Sequence, residues 1–69
     1  MGARGRVEGT IAVSGRPLDA VEVSLLSGVY GSRLYVVLRE LLREGVIVDS
    51  WTDEVPPRRL YEFSNTVVV

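Results

Sequence analysis

The residues from Tyr30 to Gly45 carry the strongest secondary-structure signal in the chain. Apolar side chains recur there at spacings of three and four, which places them in one stripe along a helix. They are Leu34, Val37, Leu38, Leu41 and Leu42. Charged side chains fall mostly on the opposite side, Ser32 is suited to cap the start of the helix, and Gly45 is suited to end it. We therefore predict a helix over about residues 30–44.

The spacing changes after Gly45, where the residues predict a β-hairpin. Residues 46–52 are mainly β-branched or aromatic, which favours a strand. Residues 53–57 end in two prolines that cannot donate to a β-ladder, so this stretch is predicted as a loop. Residues 58–64 alternate between two faces and indicate a returning strand, with Trp51 and Tyr61 expected in the core under the hairpin rather than as base-stacking platforms.

The first segment of the chain fits two kinds of secondary structure. Val7 and Ile11 stand four residues apart, as on a helix, whereas the β-branched residues over 7–14 also suit a strand. We favour a helix because of the elements that follow. Residues 15–18, which include a glycine and a proline, interrupt this segment.

A capping-box pattern begins the second predicted helix. Asp19 takes the N-cap position and Glu22 follows three residues later. The apolar side of this short helix is expected to consist of Val21, Leu25 and Leu26, and the helix is expected to end at Ser27 and Gly28.

Composition restricts the chemistry available to the chain. A sequence of 69 residues makes one domain over 1–69, and it contains no Cys and no His. A disulfide framework, a zinc finger and His-based catalysis are therefore excluded. We expect no enzyme activity, no cofactor, no metal and no small-molecule ligand. The net charge of −1 argues against binding nucleic acid by bulk attraction alone.

No apolar run approaches the roughly 18–20 residues that span a bilayer. We therefore expect a cytoplasmic protein without a membrane partner. The basic residues are all arginine, and the acidic excess lies mainly outside residues 30–44, which carry a net charge of +1. Arginine is the side chain that forks to guanine and to phosphate.

Three helices followed by a β-hairpin in one α+β domain is the order of a winged helix-turn-helix. In that arrangement the helix over 30–44 is the recognition helix, which lies in the major groove of DNA. The hairpin over 46–64 is the wing, and its tip at 53–57 lies near the backbone or the minor groove.

The residues of the third helix and the hairpin also follow a longer pattern. It consists of a Gly-Ser pair, an aliphatic residue, Tyr, two leucines and a charged stretch ending in Gly: Gly31, Ser32, Leu34, Tyr35, Leu38, Leu41 and Gly45. The hairpin adds Ser50-Trp51 and a Pro-Arg-Arg-Leu-Tyr return over 57–61. Together these residues resemble the PadR-like transcriptional regulators, over about residues 16–64 and mainly after Gly28. Arg33 is an apparent insertion in this pattern. The family also carries a C-terminal dimerisation helix, for which we expect no counterpart within residues 1–69.

The winged-helix interpretation and the PadR-like resemblance imply a sequence-specific regulator that binds double-stranded DNA as a homodimer. The predicted DNA-binding residues are five on the third helix and two on the wing: Ser32, Arg33, Tyr35, Val36, Arg39, Arg58 and Arg59. The helix residues are expected to meet base edges, and the wing arginines are expected to contact the DNA backbone. The alternative function is a winged-helix protein-interaction or assembly module that does not bind DNA.

Each of these assignments has a structural alternative. Tyr35 also suits a packing position at the domain edge, and Arg39 and Arg43 also suit a solvated face paired with Glu40 and Glu44. The pair Arg58-Arg59 is expected either to clamp a phosphate or to pair within the hairpin with Asp53-Glu54. Residues 67–69, all valine, suit a third strand or an intersubunit contact.

Overall fold

The computed structural model describes residues 2–64, which form an α+β domain of three helices and three strands. The antiparallel sheet has the strand order β1-β3-β2. The elements in chain order are α1 (Ala3–Ser14), β1 (Leu18–Asp19), α2 (Ala20–Ser27), α3 (Gly31–Arg43), β2 (Ile47–Trp51) and β3 (Arg59–Phe63). The strand or contact predicted for residues 67–69 lies outside the described residues.

The apolar stripe of α3 is buried as predicted. The fifth side chain, Leu42, is half-buried against the core. The other four lie in the core: Leu34, Val37, Leu38 and Leu41. The helix ends before Gly45, as expected, and the φ of 76° at this glycine is left-handed. The Gly45 amide donates to the Leu42 carbonyl and the Val46 amide to the Leu41 carbonyl, which is a Schellman motif.

The predicted N-cap of α3 was wrong. The helix begins at Gly31, and the extended residue before it, Tyr30, takes the N-cap position without a side-chain hydrogen bond to the helix. Ser32 therefore lies inside the first turn. The N-cap therefore lies two residues before the predicted one, and Gly31, the first residue of the helix, has a left-handed φ of 65° that glycine adopts readily.

The first segment is a helix, as favoured, and it covers the core from one side. Val7 and Ile11 are both buried, and α1 packs against α2, α3 and β3. The capping box of α2 is also confirmed: the Glu22 amide donates to Asp19 Oδ1 at 2.8 Å, and the Asp19 amide donates to Glu22 Oε1 at 3.1 Å. The helix ends at Ser27, followed by left-handed Gly28.

The predicted apolar side of α2 was wrong. Val21, Leu25 and Leu26 are 66%, 69% and 64% exposed, whereas Val23 and Ser27 are buried. Ser27 is accommodated because its hydroxyl accepts a hydrogen bond from the Val29 amide at 3.2 Å. Because α2 is apolar on most sides, its sequence did not specify which side packs, and contact with α1 decided it.

The strand β1 was not predicted; it joins Leu18, the last residue of the predicted break at 15–18, to Asp19, the N-cap of α2. Leu18 is fully buried opposite Tyr61, and Asp19 is paired with Leu60. A strand of two residues is too short to show alternation, so only its pairing with β3 defines it.

The hairpin is confirmed within a residue of the predicted bounds, with Trp51 opposite Arg59 and Asp49 opposite Tyr61. Tyr61 is buried as expected, but Trp51 is 62% exposed, so its predicted place in the core was wrong. Trp51 lies on the inner face of the sheet with Ile47, at the end of β2 that extends beyond the helices.

One core joins the helices to the inner face of the sheet. Its members are Val7, Ile11, Leu18, Val23, Val29, Leu34, Val37, Leu38, Leu41, Ile47 and Tyr61. Within residues 2–64, no single helix is long and apolar enough to cross a membrane. α2 and α3 reach that length and composition only together, as a pair bent by 108°.

Candidate functional site

The outward side of α3 presents polar and charged side chains next to the hairpin. Successive residues of an α-helix turn by about 100°, so residues opposite Leu34 and Leu41 face solvent. Ser32, Val36 and Arg39 lie on this outward side and are exposed, as is Arg43 one turn after Arg39. Tyr35 lies on the flank toward β3 and is also exposed. Four predicted residues therefore share one continuous surface: Ser32, Tyr35, Val36 and Arg39.

Arg33 is placed differently from the other predicted residues of α3. It is turned by about 160° from Tyr35 around the helix axis. It lines a cleft of about 320 Å³ beside the start of α1, together with Gly2, Ala3 and Arg6. The structure therefore separates Arg33 from the surface that carries Tyr35 and Arg39.

The three arginines of α3 form no ion pair within residues 2–64. Glu40 and Glu44, their expected partners, instead face Arg4 of α1. Arg4 Nη1 lies 2.8 Å from Glu44 Oε2 and 3.9 Å from Glu40 Oε1, and Arg4 Nη2 also donates to Glu44. These hydrogen bonds lower the pKa of Glu44 and raise the pKa of Arg4. Arg39 and Arg43 therefore form no ion pair with these two carboxylates.

The two arginines of the hairpin are held by carboxylates on opposite faces of β3. Arg59 Nη2 lies 2.7 Å from Asp49 Oδ2, and the guanidinium is 5.3 Å from the centre of the Tyr61 ring. Arg58 Nη1 lies 2.9 Å from Asp19 Oδ2. The two arginines therefore leave β3 and the residue before it on alternate faces, although both of their side chains line one cleft beside Tyr35.

Of the two ion pairs expected between Arg58-Arg59 and Asp53-Glu54, one forms and the other is replaced. Arg58 Nε lies 2.7 Å from Glu54 Oε1, as the alternative interpretation predicted. This hydrogen bond lowers the pKa of Glu54, with a further contribution from Thr52. Arg59 pairs with Asp49 instead of Asp53, because Asp49 is the partner of Tyr61 in the ladder, two residues along β3 from Arg59.

Tyr35 has surface clefts on both of its sides, one toward α2 and two toward β3. One cleft of about 240 Å³ separates α2 from α3, and its walls include Val21, Leu25, Tyr30 and Tyr35. Two clefts of about 370 Å³ and 160 Å³ lie between α3 and β3, and both are lined by Tyr35, Arg59 and Tyr61. The larger of these also touches Arg58, and the smaller touches Arg39.

Tyr61 forms the floor between α3 and the hairpin. Its ring is buried, and this burial raises the pKa of its hydroxyl. Arg59 covers the ring, so this region joins an aromatic floor to a cationic rim. Within the part of the chain described, no three acidic side chains are grouped to hold a metal ion.

Three exposed apolar side chains near this surface were missed by the sequence interpretation. Trp51 lies directly opposite Arg59, and Val21 and Leu25 line the cleft between α2 and α3. The alternation of β2 places Trp51 on the same face as the buried Ile47. No sequence signal showed that the sheet extends beyond the helices at that point.

No protein-family model, no curated protein and no solved structure matches this chain. The function is therefore inferred from the surface formed by α3 and the hairpin, and from the residues that this surface brings together.

Proposed function

We propose that the chain is a sequence-specific, DNA-binding transcriptional regulator of the winged helix-turn-helix kind. α3 is the recognition helix and enters the major groove, and the β2–β3 hairpin is the wing. Two features of the fold support this proposal. The helices α2 and α3 meet through a short turn, and the hairpin follows α3 directly at the side of its outward face.

The observation that carries the proposal is the state of the arginines on α3. Arg39 is exposed on the outward face and is without an ion-pair partner among residues 2–64. A guanidinium in that state binds DNA without first breaking an ion pair. Arginine forks to the O6 and N7 atoms of guanine, which is the commonest specific base contact.

The other predicted DNA-binding residues are assigned to different parts of the DNA. Ser32, Tyr35 and Val36 lie on the same surface as Arg39 and are assigned to base edges and nearby phosphates. Arg58 and Arg59 are assigned to the DNA backbone, where phosphates compete with Asp19, Glu54 and Asp49 for them. Arg33 faces the side of α1 and is assigned to a phosphate outside the groove that α3 occupies.

We also propose that the protein acts as a homodimer on a pseudo-palindromic site. Two copies would present α3 to successive major grooves, about 34–36 Å apart. A chain of this length buries only about 60% of its unfolded surface, so association with a second copy offers additional stabilisation.

Selection of bound sites from randomised duplex DNA, run at two salt concentrations, tests the proposal. We expect enrichment of a palindrome and an affinity that falls steeply as salt increases. Replacement of Arg39 by Ala is expected to cost about 1–3 kcal/mol on the selected site. Arg16→Ala is the matched control, because it removes the same charge from a residue that pairs with Glu22 away from this surface.

Binding that ignores both salt and Arg39→Ala would contradict the proposal. The alternative is a winged-helix module for protein interaction or assembly, which the exposed side of α2 favours. Val21, Leu25 and Leu26 form an apolar face that a protein partner would cover. Lack of any enriched DNA sequence at either salt concentration, with no effect of Arg39→Ala, would support this alternative instead.

A further inference from the structure

Most aromatic side chains of this protein lie outside the core. The chain contains five, and all five fall within the described residues. Only Tyr61 is buried; Tyr30, Tyr35, Trp51 and Phe63 are 62%, 54%, 62% and 42% exposed. Exposed aromatic rings near one another indicate a surface that binds a partner.

Three of the exposed rings are linked across the α3–hairpin surface by shared clefts and by the β-ladder. Tyr30 and Tyr35 line the same cleft between α2 and α3. Tyr35 and Arg59 then line both clefts between α3 and β3, and Trp51 lies directly opposite Arg59 in the ladder. We call Tyr30, Tyr35, Arg59 and Trp51 the aromatic track. Phe63 lies apart from it, in a cleft beside α1.

The charges beside the aromatic track are suited to a polyanion. Arg39 lines one of the clefts next to Tyr35 and has no ion-pair partner within residues 2–64. Arg59 lies in the track itself, with one carboxylate partner. Planar rings alternating with arginines are typical of surfaces that bind unpaired nucleotides, because rings stack on bases and arginines contact phosphates.

We propose that the aromatic track binds single-stranded DNA, with bases stacked on Tyr35 and Trp51 and phosphates held by Arg39 and Arg59. This inference rests on the proposed function for its choice of DNA as the partner, and it extends that function from paired to unpaired bases. The clefts on both sides of Tyr35, of about 240 and 370 Å³, provide the space beside the rings.

The emission of Trp51 provides a direct test, because it is the only tryptophan in the chain. We expect titration with oligo(dT) to quench this emission, and a fully paired duplex of equal length to quench it less. Trp51→Ala is expected to weaken binding of fluorescein-labelled oligo(dT) about 5- to 150-fold by anisotropy, and Trp51→Phe is expected to retain part of that affinity.

The salt dependence of the affinity distinguishes the contribution of base stacking from that of phosphate contacts. Trp51→Ala is expected to leave the slope of log affinity against log salt unchanged, whereas Arg39→Ala is expected to reduce it by about 0.7 for one lost phosphate contact. Val48→Ala is the matched control, because Val48 is a half-exposed residue on the opposite face of β2 and is expected to have no effect. Far-UV circular dichroism checks that each variant is folded.

The outcomes distinguish this inference from the proposed function. If oligo(dT) leaves Trp51 emission unchanged while a selected duplex still binds in an Arg39-dependent way, the inference is overturned and the proposed function stands. If neither DNA binds, both are overturned. If oligo(rU) binds more tightly than oligo(dT), the choice of DNA is overturned. If Val48→Ala loses as much affinity for oligo(dT) as Trp51→Ala does, the proposal that the aromatic track binds single-stranded DNA is also contradicted.

Discussion

The helices α2 and α3 are neighbours in the chain, yet different interactions hold them in place. α3 buries a full apolar stripe and leaves charged residues outside, and its N-terminus has no side-chain cap. α2 buries only Val23 and Ser27, leaves apolar residues outside, and is fixed at its start by a reciprocal capping box. At its other end, Arg6 of α1 donates to the Ser27 and Gly28 carbonyls.

This difference shows how helix length changes the source of stability. A helix of 13 residues presents enough apolar surface to be held by burial, whereas one of eight residues depends more on hydrogen bonds at its ends. The same difference affects function. Because burial and the pairing of Arg4 with Glu40 and Glu44 hold α3, its outward arginines form no ion pair within residues 2–64 and are available to a ligand.

The largest expected effect compares a leucine in each helix. Leu41→Ala in α3 removes a fully buried side chain, and we expect a loss of about 2–5 kcal/mol in the free energy of unfolding. Leu26→Ala in α2 removes an exposed side chain, and we expect a change within about 0.5 kcal/mol. Urea denaturation followed by circular dichroism measures both. Equal losses would show that the outward side of α2 is covered, as in a dimer.

The glycines that end the two helices provide the next comparison. Gly28 and Gly45 both have a left-handed φ, so alanine at either position is expected to cost about 1–2 kcal/mol. A Cβ at Gly28 would also lie 2.8 Å from Arg6 Nη2, whereas one at Gly45 meets nothing within 4 Å. We therefore expect Gly28→Ala to be the more destabilising in urea denaturation. A larger loss for Gly45→Ala would contradict the role of Arg6 at the end of α2.

The N-termini of the helices are compared by removing one side chain from each. Asp19→Ala is expected to cost about 1 kcal/mol of stability, because the Glu22 amide loses its acceptor. Asp19→Asn keeps the cap and loses only the ion pair with Arg58, so it is expected to cost less. Ser32→Ala is expected to change stability little, since α3 has no side-chain cap. A loss from Ser32→Ala as large as from Asp19→Ala would show that Ser32 caps α3 after all.

The smallest expected effect is the pH dependence of stability that Glu22, in the first turn of α2, contributes. Hydrogen bonds, first from Arg16 and then from the Asp19 amide, hold the pKa of Glu22 below its ordinary value of 4.5. The pKa of Glu22 is lower in the folded state than in the unfolded state. The ionised Glu22 therefore stabilises the folded protein fully above pH 4.5, and this contribution is lost as the pH falls through the folded-state pKa.

Thermal unfolding at several pH values measures this effect. Glu22→Gln keeps the capping box but not the titration, so its stability is expected to depend less on pH below 4.5. Arg16→Ala removes the largest cause of the shift and is expected to flatten the same region. An unchanged profile in both variants would show that Glu22 does not contribute to acid unfolding.

Strong periodicity and local capping were sufficient to predict several elements correctly. α3 and its buried stripe follow from apolar residues at spacings of three and four, and α2 begins where Asp19 and Glu22 form a capping box. The β2–β3 hairpin follows from β-branched residues on both sides of a proline-containing loop. Each of these signals lies within a short stretch of chain.

The candidate site was predictable only in part. The helix period groups Tyr35 with Arg39 and places Arg33 about 160° from Tyr35, but it does not show that α1 packs on that side. The exposure of Trp51 depends on how far β2 extends beyond the helices, and spacing along the chain carries no such information. The partners of Arg58 and Arg59 depend on the register of the sheet, which local sequence does not specify.

The amino-acid order of this protein is therefore enough to define its two most regular local patterns, the stripe of α3 and the alternation of the hairpin. Both patterns repeat over several turns or residue pairs, so many side chains together specify which face of the element is buried. Tertiary contacts decide the side of α2 that is buried, the pairing of Leu18 with Tyr61, and the replacement of Arg39 by Arg4 as the partner of Glu40. The strand pairing and the ion pair join residues distant in the chain, so tertiary contacts rather than local sequence select them, and Arg39 is left open to a ligand.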